Sequence, residues 1–352
     1  MMFDNKYELQ LKLATTTLYK YCVNPVSEKW QFCEYLSAIL IFYMLKKLQL
    51  NFTSLIGLVL LMLSVWAITH ELRAYNYRDV LNAIGSIPKI RLSLSIWLTA
   101  LGYIVLAAYD ILAFAYIRRP LHWSKIAFVG FTSAVFSNTI GFGILTGGAI
   151  RYRFYASWGV PGVDIAQVIA FENITFWLGI LCVAGLMFVV NPLQIPPQLH
   201  VPFSDARPVG VLFLVLVFIY LLGSLFLKQP LVIRGHEFRF PSFKTGLVQV
   251  VISSLDWLLA TGVLFVLLPA NTSLEFLDFL GVYLLAMFAG VASNVPSGLG
   301  VFETIILLIL SSKVSGAALF GSMLAYRAIY YLLPMVIAAG MLGVYEFRHR
   351  IK

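Results

Sequence analysis

Ser137-Asn138-Thr139-Ile140-Gly141-Phe142-Gly143 interrupts one apolar stretch of this chain, and Ser293-Asn294-Val295-Pro296-Ser297-Gly298-Leu299-Gly300 interrupts another. Each carries Ser-Asn followed by Gly-x-Gly, with one residue more in the second copy. Glycine opens dihedrals that unwind a helix, and proline removes a donor and clashes with the preceding turn. The two motifs therefore predict helix breaks at Asn138, Gly141 and Gly143 and at Asn294, Pro296, Gly298 and Gly300. At membrane depth such breaks survive where the freed backbone lines a cavity or is buried in protein. A pair of them in two halves of a chain points to a transporter-type site and an inverted repeat. The general richness of glycine in membrane helices is the plainer reading of the same letters.

The surrounding composition makes the bilayer the relevant solvent. Of the residues, 60% are hydrophobic and 12% charged, and mean hydropathy is strongly positive; a soluble globular chain is excluded. The apolar runs lack period-2 alternation, which selects helices over a barrel. The expected fold is all-α: a polytopic transmembrane helical bundle of about 7–9 membrane segments, two of them broken or re-entrant. The runs are Phe52–Thr69, Ser93–Ile117, the interrupted Ile126–Leu145, Ile165–Val190, Val209–Leu227, Leu247–Leu268, Leu274–Ala292, the short Val301–Leu310 and Phe320–Val344.

Three regions follow: residues 1–51, with six lysines and one apolar stretch too short to cross, as a cytosolic or interfacial segment; residues 52–346 as the membrane domain; residues 347–352 as a basic cytosolic tail. The first residues lack an early apolar core and a small-residue cleavage site, so no signal peptide is expected. The connection 228–244 carries four basic residues and the stretch after Tyr345 three, whereas 191–208 carries one and 270–273 none. The basic connections are expected inside. For Arg118, Arg119 and Lys125 to lie inside as well, Ile126–Leu145 must enter and return on one side. Arg73, Arg78, Lys89 and Arg91 are then left outside, against the same rule. The net charge of +9 is divided among loops with no continuous stripe, which speaks for topology and anionic lipid rather than nucleic acid.

Ionisable residues inside spans carry the functional signal. Asp110, Glu172 and Asp256 lie well within apolar runs, and Glu303 follows the second break. A mid-span carboxylate costs about 2.5–3.5 kcal/mol on insertion scales, so these acids must face the bundle interior. Their neighbours agree: Thr99, Tyr103 and Asp110, then Glu172, Thr175 and Gly179, then Gln249, Ser253 and Asp256 form polar stripes at helical spacing. Purely structural interhelical bonds are the alternative, and for Glu303 a plain helix-start charge. The candidate cations are Arg151 and Arg153, in Arg-Tyr-Arg after the first break, and Arg327 among Tyr326, Tyr330 and Tyr331. Guanidinium forks bind phosphate bidentately, so Arg151 and Arg153 read as a headgroup-phosphate site or as snorkelling anchors.

Gly147 to Tyr155 with the following Gly159-Val160, together with Pro296-Ser297-Gly298-Leu299-Gly300-Val301-Phe302-Glu303, resembles the transmembrane domain of the lysyl-phosphatidylglycerol synthase and flippase family, the bacterial multiple peptide resistance factors. The resemblance runs from about Phe52 to Glu346. It implies a multi-pass protein of the bacterial inner membrane that flips aminoacylated phosphatidylglycerol outward and so lowers the affinity of the surface for cationic peptides. It also implies that Asp110, Arg151, Glu172, Asp256 and Glu303 are the family's functional positions. Bifunctional members continue into a soluble transferase domain. This chain stops at Lys352, which reads as a stand-alone module served by a separate synthase, or as part of a larger protein; an oligomer is compatible with either.

No P-loop, metal-ligand spacing or paired His-nucleophile motif is present, so neither a cofactor nor a catalytic role is expected. Two rivals stay open: a membrane lipid-headgroup aminoacyltransferase component, and an ion-coupled carrier of a small polar solute.

Overall fold

A computed structural model describes residues 77–141, 143–192, 205–227, 229, 231–233, 236–238, 240–269, 274–293 and 296–350. The expected N-terminal segment 1–51, the run Phe52–Thr69, Arg73 and the break residue Asn294 lie outside the described residues. The elements are α1 (Tyr77–Gly85), α2 (Lys89–Ile117), α3 (Trp123–Ile140), α4 (Gly143–Ser157), α5 (Gly162–Val190), α6 (Arg207–Phe226), β1 (Leu231–Ile233), β2 (His236–Phe238), α7 (Phe243–Leu267), α8 (Phe276–Ala292), α9 (Val301–Leu310), α10 (Gly316–Tyr326) and α11 (Leu333–Arg350). Among the described residues, five helical stretches are long and apolar enough to cross a membrane: α2, α5, α6, α7 and the run from Gly316 to Arg348. The molecule is a helical membrane bundle.

Its outer surface is apolar, and polar side chains are drawn into an interior that is otherwise apolar too. On α2, Leu94, Trp97, Leu101 and Ile104 are exposed while Ser95, Thr99, Tyr103 and Asp110 are buried. With lipid as solvent, apolar burial drives nothing, and polar groups seek one another in the interior. Small residues bring the backbones together: a Cβ on Gly179 of α5 would stand 2.6 Å from the carbonyl oxygen of Ser253 on α7. Beside this crossing, Gln249 Nε2 donates to Thr175 Oγ1 at 2.7 Å, and Tyr220 OH donates to Gln249 Oε1 at 2.6 Å.

The helix directions follow from which residues meet. Arg91 reaches Leu268 and Tyr109 reaches Asp256, so α2 and α7 are antiparallel. Tyr116 stacks on Phe171 and Arg119 pairs with Asp164, so α2 and α5 are antiparallel too. Between α3 and α4, Ser137 meets Gly147, Phe128 meets Phe154 and Lys125 lies over Trp158. These two helices are thus a hairpin that enters and returns on the face where α2 ends. Between α8 and α9, Gly290 abuts Gly298, Tyr283 meets Phe302 and Asp278 faces Lys313. That hairpin enters and returns on the opposite face, where α7 ends. The bundle is therefore two inverted units, α2–α3/α4–α5 and α7–α8/α9–α10/α11, joined by α6, with the two hairpin tips pointing at each other.

Four features depart from the sequence reading. The first break is narrower than expected: α3 continues through Asn138 to Ile140, because Gly141 N–H still donates to Ser137 O at 2.9 Å, and the turn falls on Gly141 at φ 83°. The basic connection after α6 holds two short antiparallel strands, β1 against β2, with Leu231 opposite Phe238 and Ile233 opposite His236. The β-branched Val232 and Ile233 suit such a strand. The long run Phe320–Val344 is divided by a π-helical turn, Arg327–Leu332. Pro334 has no N–H for the carbonyl of Tyr330, and Tyr103 OH donates to that carbonyl instead, at 3.0 Å. Finally, the stretch before α2 is not a plain outer loop. Helix α1 packs on Gly321 of α10, and Arg91 Nη1 caps α7 by donating to Leu268 O at 2.7 Å.

Arg118, Arg119, Lys125, Arg153, Lys244 and Arg348 cluster on the face where α2 ends, against Asp164 and Glu346. The other face balances Lys89, Arg91, Arg207 and Lys313 with Asp205, Glu275 and Asp278. The positive-inside tendency predicts that the basic face is the cytosolic one. Single cysteines introduced by Ser124→Cys and Ser157→Cys should label from the cytosolic side with an impermeant maleimide, and Ser312→Cys from the other side. Labelling of Ser124→Cys and Ser157→Cys from opposite sides would show that the first hairpin crosses. Gly179→Val should overpack the α5/α7 crossing and cost about 1–3 kcal/mol or more. Gly262→Ala, whose Cβ would meet only Leu98 at 3.6 Å, should leave the melting temperature in detergent nearly unchanged.

Candidate functional site

The two hairpin tips touch. Ser297, at φ 52° and ψ 16°, is held in the left-handed region that non-glycine residues seldom occupy, at a cost of order 1–3 kcal/mol. This conformation aims its hydroxyl at the other tip, where Oγ donates to Asn138 O at 2.9 Å and contacts Thr139 O. Behind the second tip, Arg327 grips Glu303 Oε1 with Nε at 2.8 Å and Nη2 at 2.6 Å, and its guanidinium lies 5.2 Å from the Tyr331 ring centroid. Glu303 Oε2 accepts from Gly300 N–H at 2.8 Å. The helix-start role and the ion-pair role of Glu303 are thus filled together.

Behind the first tip lies a larger cluster. Arg151, on the returning helix α4, donates to Asp110 through Nε at 3.0 Å and Nη2 at 2.7 Å, and Nη2 also donates to Glu172 Oε2 at 3.0 Å. Tyr155 OH donates to Asp110 Oδ1 at 2.7 Å. Asp110 is fully buried, and Arg151 is 6% exposed. The snorkelling reading of Arg151 is excluded by this burial. Tyr109, the residue before Asp110, points the other way around α2 and donates to Asp256 Oδ2 at 3.2 Å. Among the described residues, two buried carboxylate oxygens have no donor: Glu172 Oε1 and Asp256 Oδ1.

Between the tips and these clusters is a cavity of about 580 Å³. Asn138, Gly141, Gly143, Ser297 and Gly298 line it from the two tips, and Arg151, Glu172 and Asp256 line it from α4, α5 and α7. Aromatic rings complete the wall, among them Tyr109, Trp177, Trp257, Tyr283 and Tyr330. Ile144 and Leu145 line it too and are among the more exposed residues of the bundle. The cavity therefore reaches the lipid-facing surface beside α4. Charged groups facing a lipid-accessible chamber at mid-depth can bind a charged headgroup while its acyl chains stay in the bilayer.

Of the seven charged candidates, three line the cavity. Asp110, Glu303 and Arg327 stand behind its wall and fix the groups that do. Arg153 belongs elsewhere: it pairs with Glu346 on the basic face and is two-thirds exposed. Residues two apart on a helix project about 200° apart, so Arg151 and Arg153 cannot share a face. The aromatic wall escaped the sequence reading because Tyr and Trp are common throughout membrane helices; Tyr109, adjacent to a mid-span acid, carried the clearest signal.

Truncating Arg151 strands two buried carboxylates. Arg151→Met should destabilise the protein by about 3–5 kcal/mol. Arg153→Met, which breaks an exposed pair, should cost at most about 1 kcal/mol. Thermal unfolding of the two variants in detergent separates these outcomes, and equal melting temperatures would contradict the assigned burial.

Comparison with known proteins places this geometry. Residues 53–338 match the family model described as "Lysylphosphatidylglycerol synthase TM region". The chain is 44% identical to "Uncharacterized protein slr0712" of Synechocystis sp. over 306 residues, 87% of this chain and 95% of that protein. It is 28% identical to "Inner membrane protein YbhN" of Escherichia coli over 282 residues, 80% of this chain and 86% of that one. It is 25% identical to "Phosphatidylglycerol lysyltransferase" of Staphylococcus xylosus over 309 residues, 84% of this chain but 34% of that longer protein. The chain belongs to the lysylphosphatidylglycerol synthase transmembrane-region family.

Proposed function

We propose that this protein translocates a phospholipid, phosphatidylglycerol or its aminoacylated form, between the leaflets of a bacterial inner membrane, and so contributes to resistance against cationic antimicrobial peptides. One observation carries the reading: a chamber at mid-depth, walled by two opposed re-entrant tips, carries charge and reaches the lipid-facing surface at Ile144 and Leu145. Its volume of about 580 Å³ falls within the range of small-ligand pockets, about 300–1,000 Å³, and suits a headgroup with its chains left outside. The headgroup phosphate lies beside Arg151 and the first tip, where a guanidinium and the backbone turn at Gly141 converge. An amino-acid cation on the headgroup meets Glu172 and Asp256. Opposed hairpins suit alternating access, since each tip can withdraw toward its own face.

The rival reading, a headgroup aminoacyltransferase component, draws on the name of the Staphylococcus relative. The two separate on chemistry. In vesicles containing the purified protein and lysyl-phosphatidylglycerol, leaflet-resolved amine labelling should show lipid reaching the far leaflet with no change in its total amount. Arg151→Ala should slow that movement by about tenfold to a hundredfold, the loss expected from a charge-assisted hydrogen bond of about 1.5–3 kcal/mol. Ala260→Trp, which fills the chamber from α7 without removing a charge, should also slow it. With phosphatidylglycerol and an activated lysyl donor such as lysyl-tRNA added, new aminoacyl lipid without redistribution would favour the transferase.

A further inference from the structure

Two observations bear on what drives the movement. The first is the pair of unpartnered oxygens, Glu172 Oε1 and Asp256 Oδ1. Both side chains are more than nine-tenths buried and both line the chamber, one from each inverted half. The second is the balance of charge around them. Glu172 faces Asp110 and Tyr109 from α2, Arg151 and Tyr155 from α4, and Asp256 from α7. Asp256 faces Tyr109 and Tyr103 from α2, Glu172 from α5, Tyr283 from α8 and Tyr330 from the π turn. One guanidinium, paired with Asp110 and Glu172, thus stands against three carboxylates, Asp256 having only the Tyr109 hydroxyl: an excess of two negative charges when all are ionised. Arg327 does not relieve it, being bound to Glu303.

A surplus of that size at membrane depth requires positive charge from outside the protein. Among the described residues no three His, Cys, Asp or Glu converge as a metal-ligand set, so the fitting occupants are a proton or the ammonium of a cargo headgroup. Both need the same two oxygens, and they exclude one another.

We infer that Glu172 and Asp256 exchange protons for a cationic headgroup, so that lipid passage is coupled in antiport to the transmembrane proton gradient. The inference rests on the translocase reading and supplies its energy source. On the outer side a carboxylate takes up a proton, forming one O–H bond and becoming neutral. When the chamber opens to the cytosolic side that bond breaks, the proton leaves to water, and the freed carboxylate receives the ammonium. The headgroup is released outward as the next proton arrives. For a headgroup of net charge +1 the exchange of one for one is electroneutral.

The test uses the full chain in phosphatidylglycerol vesicles with a trace of lysyl-phosphatidylglycerol, a trapped pH dye, and an impermeant amine reagent to read the leaflets. A gradient of about one pH unit should concentrate the lysyl lipid about tenfold in the leaflet on the acid side, since one unit is a tenfold proton ratio. Adding the lipid to one side should also drive a dye-detected proton flux the other way in the unmodified protein, a readout independent of any variant. Asp256→Asn and Glu172→Gln, each lacking one of the carboxylates that take the proton and the ammonium, should lose both the gradient-driven accumulation of the lysyl lipid and the coupled proton flux. Lipid movement that is indifferent to the proton gradient in the unmodified protein overturns the coupling and leaves the translocase standing, as does accumulation driven by a sodium gradient instead. Absence of lipid movement under every condition removes both.

Discussion

Arg151 is the constraint around which the first half of the molecule is arranged. A guanidinium at mid-depth is tolerated only when its donors are met, and three helices are bent to that purpose: α2 supplies Asp110, α5 supplies Glu172, and α4 reaches them because Gly147 lets it press against Ser137 of α3. The re-entrant path of α3 and α4 follows from this. A helix that crossed would carry Arg151 past its partners, whereas one that turns back at Gly141 delivers it to them. The second half solves the same problem at smaller scale with Arg327 and Glu303.

Much of this was legible in the chain. Mid-span acids had to face inward on cost alone, and Asp110, Glu172 and Asp256 do lie buried at the stripes their spacing marked. The paired Ser-Asn motifs announced discontinuities, and the requirement that Arg118, Arg119 and Lys125 share a face with the tail announced a return rather than a crossing. What was not legible is one local backbone bond, Gly141 N–H to Ser137 O, and a set of contacts with partners distant in sequence. Asn138 stays helical because a backbone bond holds the turn that follows it. The role of Arg91 needed the end of α7 to be nearby, and the π turn needed Tyr103 to supply the donor that Pro334 denies the Tyr330 carbonyl. Arg153 shows the limit from the other side: two arginines in one short motif look like one site until helical geometry sends them to different faces.

The family gives these observations a common setting. A relative named for lysyl transfer is about three times as long as the region it shares with this chain, whereas the Synechocystis and Escherichia coli relatives are matched over most of their length. The membrane module thus recurs in proteins of very different length, and the residues that line the chamber here fall within the matched range 53–338.

Each buried ion cluster is internal to one half: Arg151 with Asp110 and Glu172 in the first, Arg327 with Glu303 in the second. What binds the halves at the chamber is a handful of neutral or singly charged hydrogen bonds, with the Ser297 hydroxyl on the Asn138 carbonyl at the point where the tips meet. Parting the tips therefore ruptures no buried ion pair. Among the described residues, what gives way there is the hydrogen bonding of the Ser297 hydroxyl to the Asn138 and Thr139 carbonyls, worth about 0.5–1.5 kcal/mol, and its rupture is partly offset as Ser297 leaves its left-handed backbone. The molecule is in this respect a pair of stiff jaws on a weak latch, rigid where charge is stored and at the α2/α7 and α5/α7 crossings that join the halves, and compliant where the two tips meet.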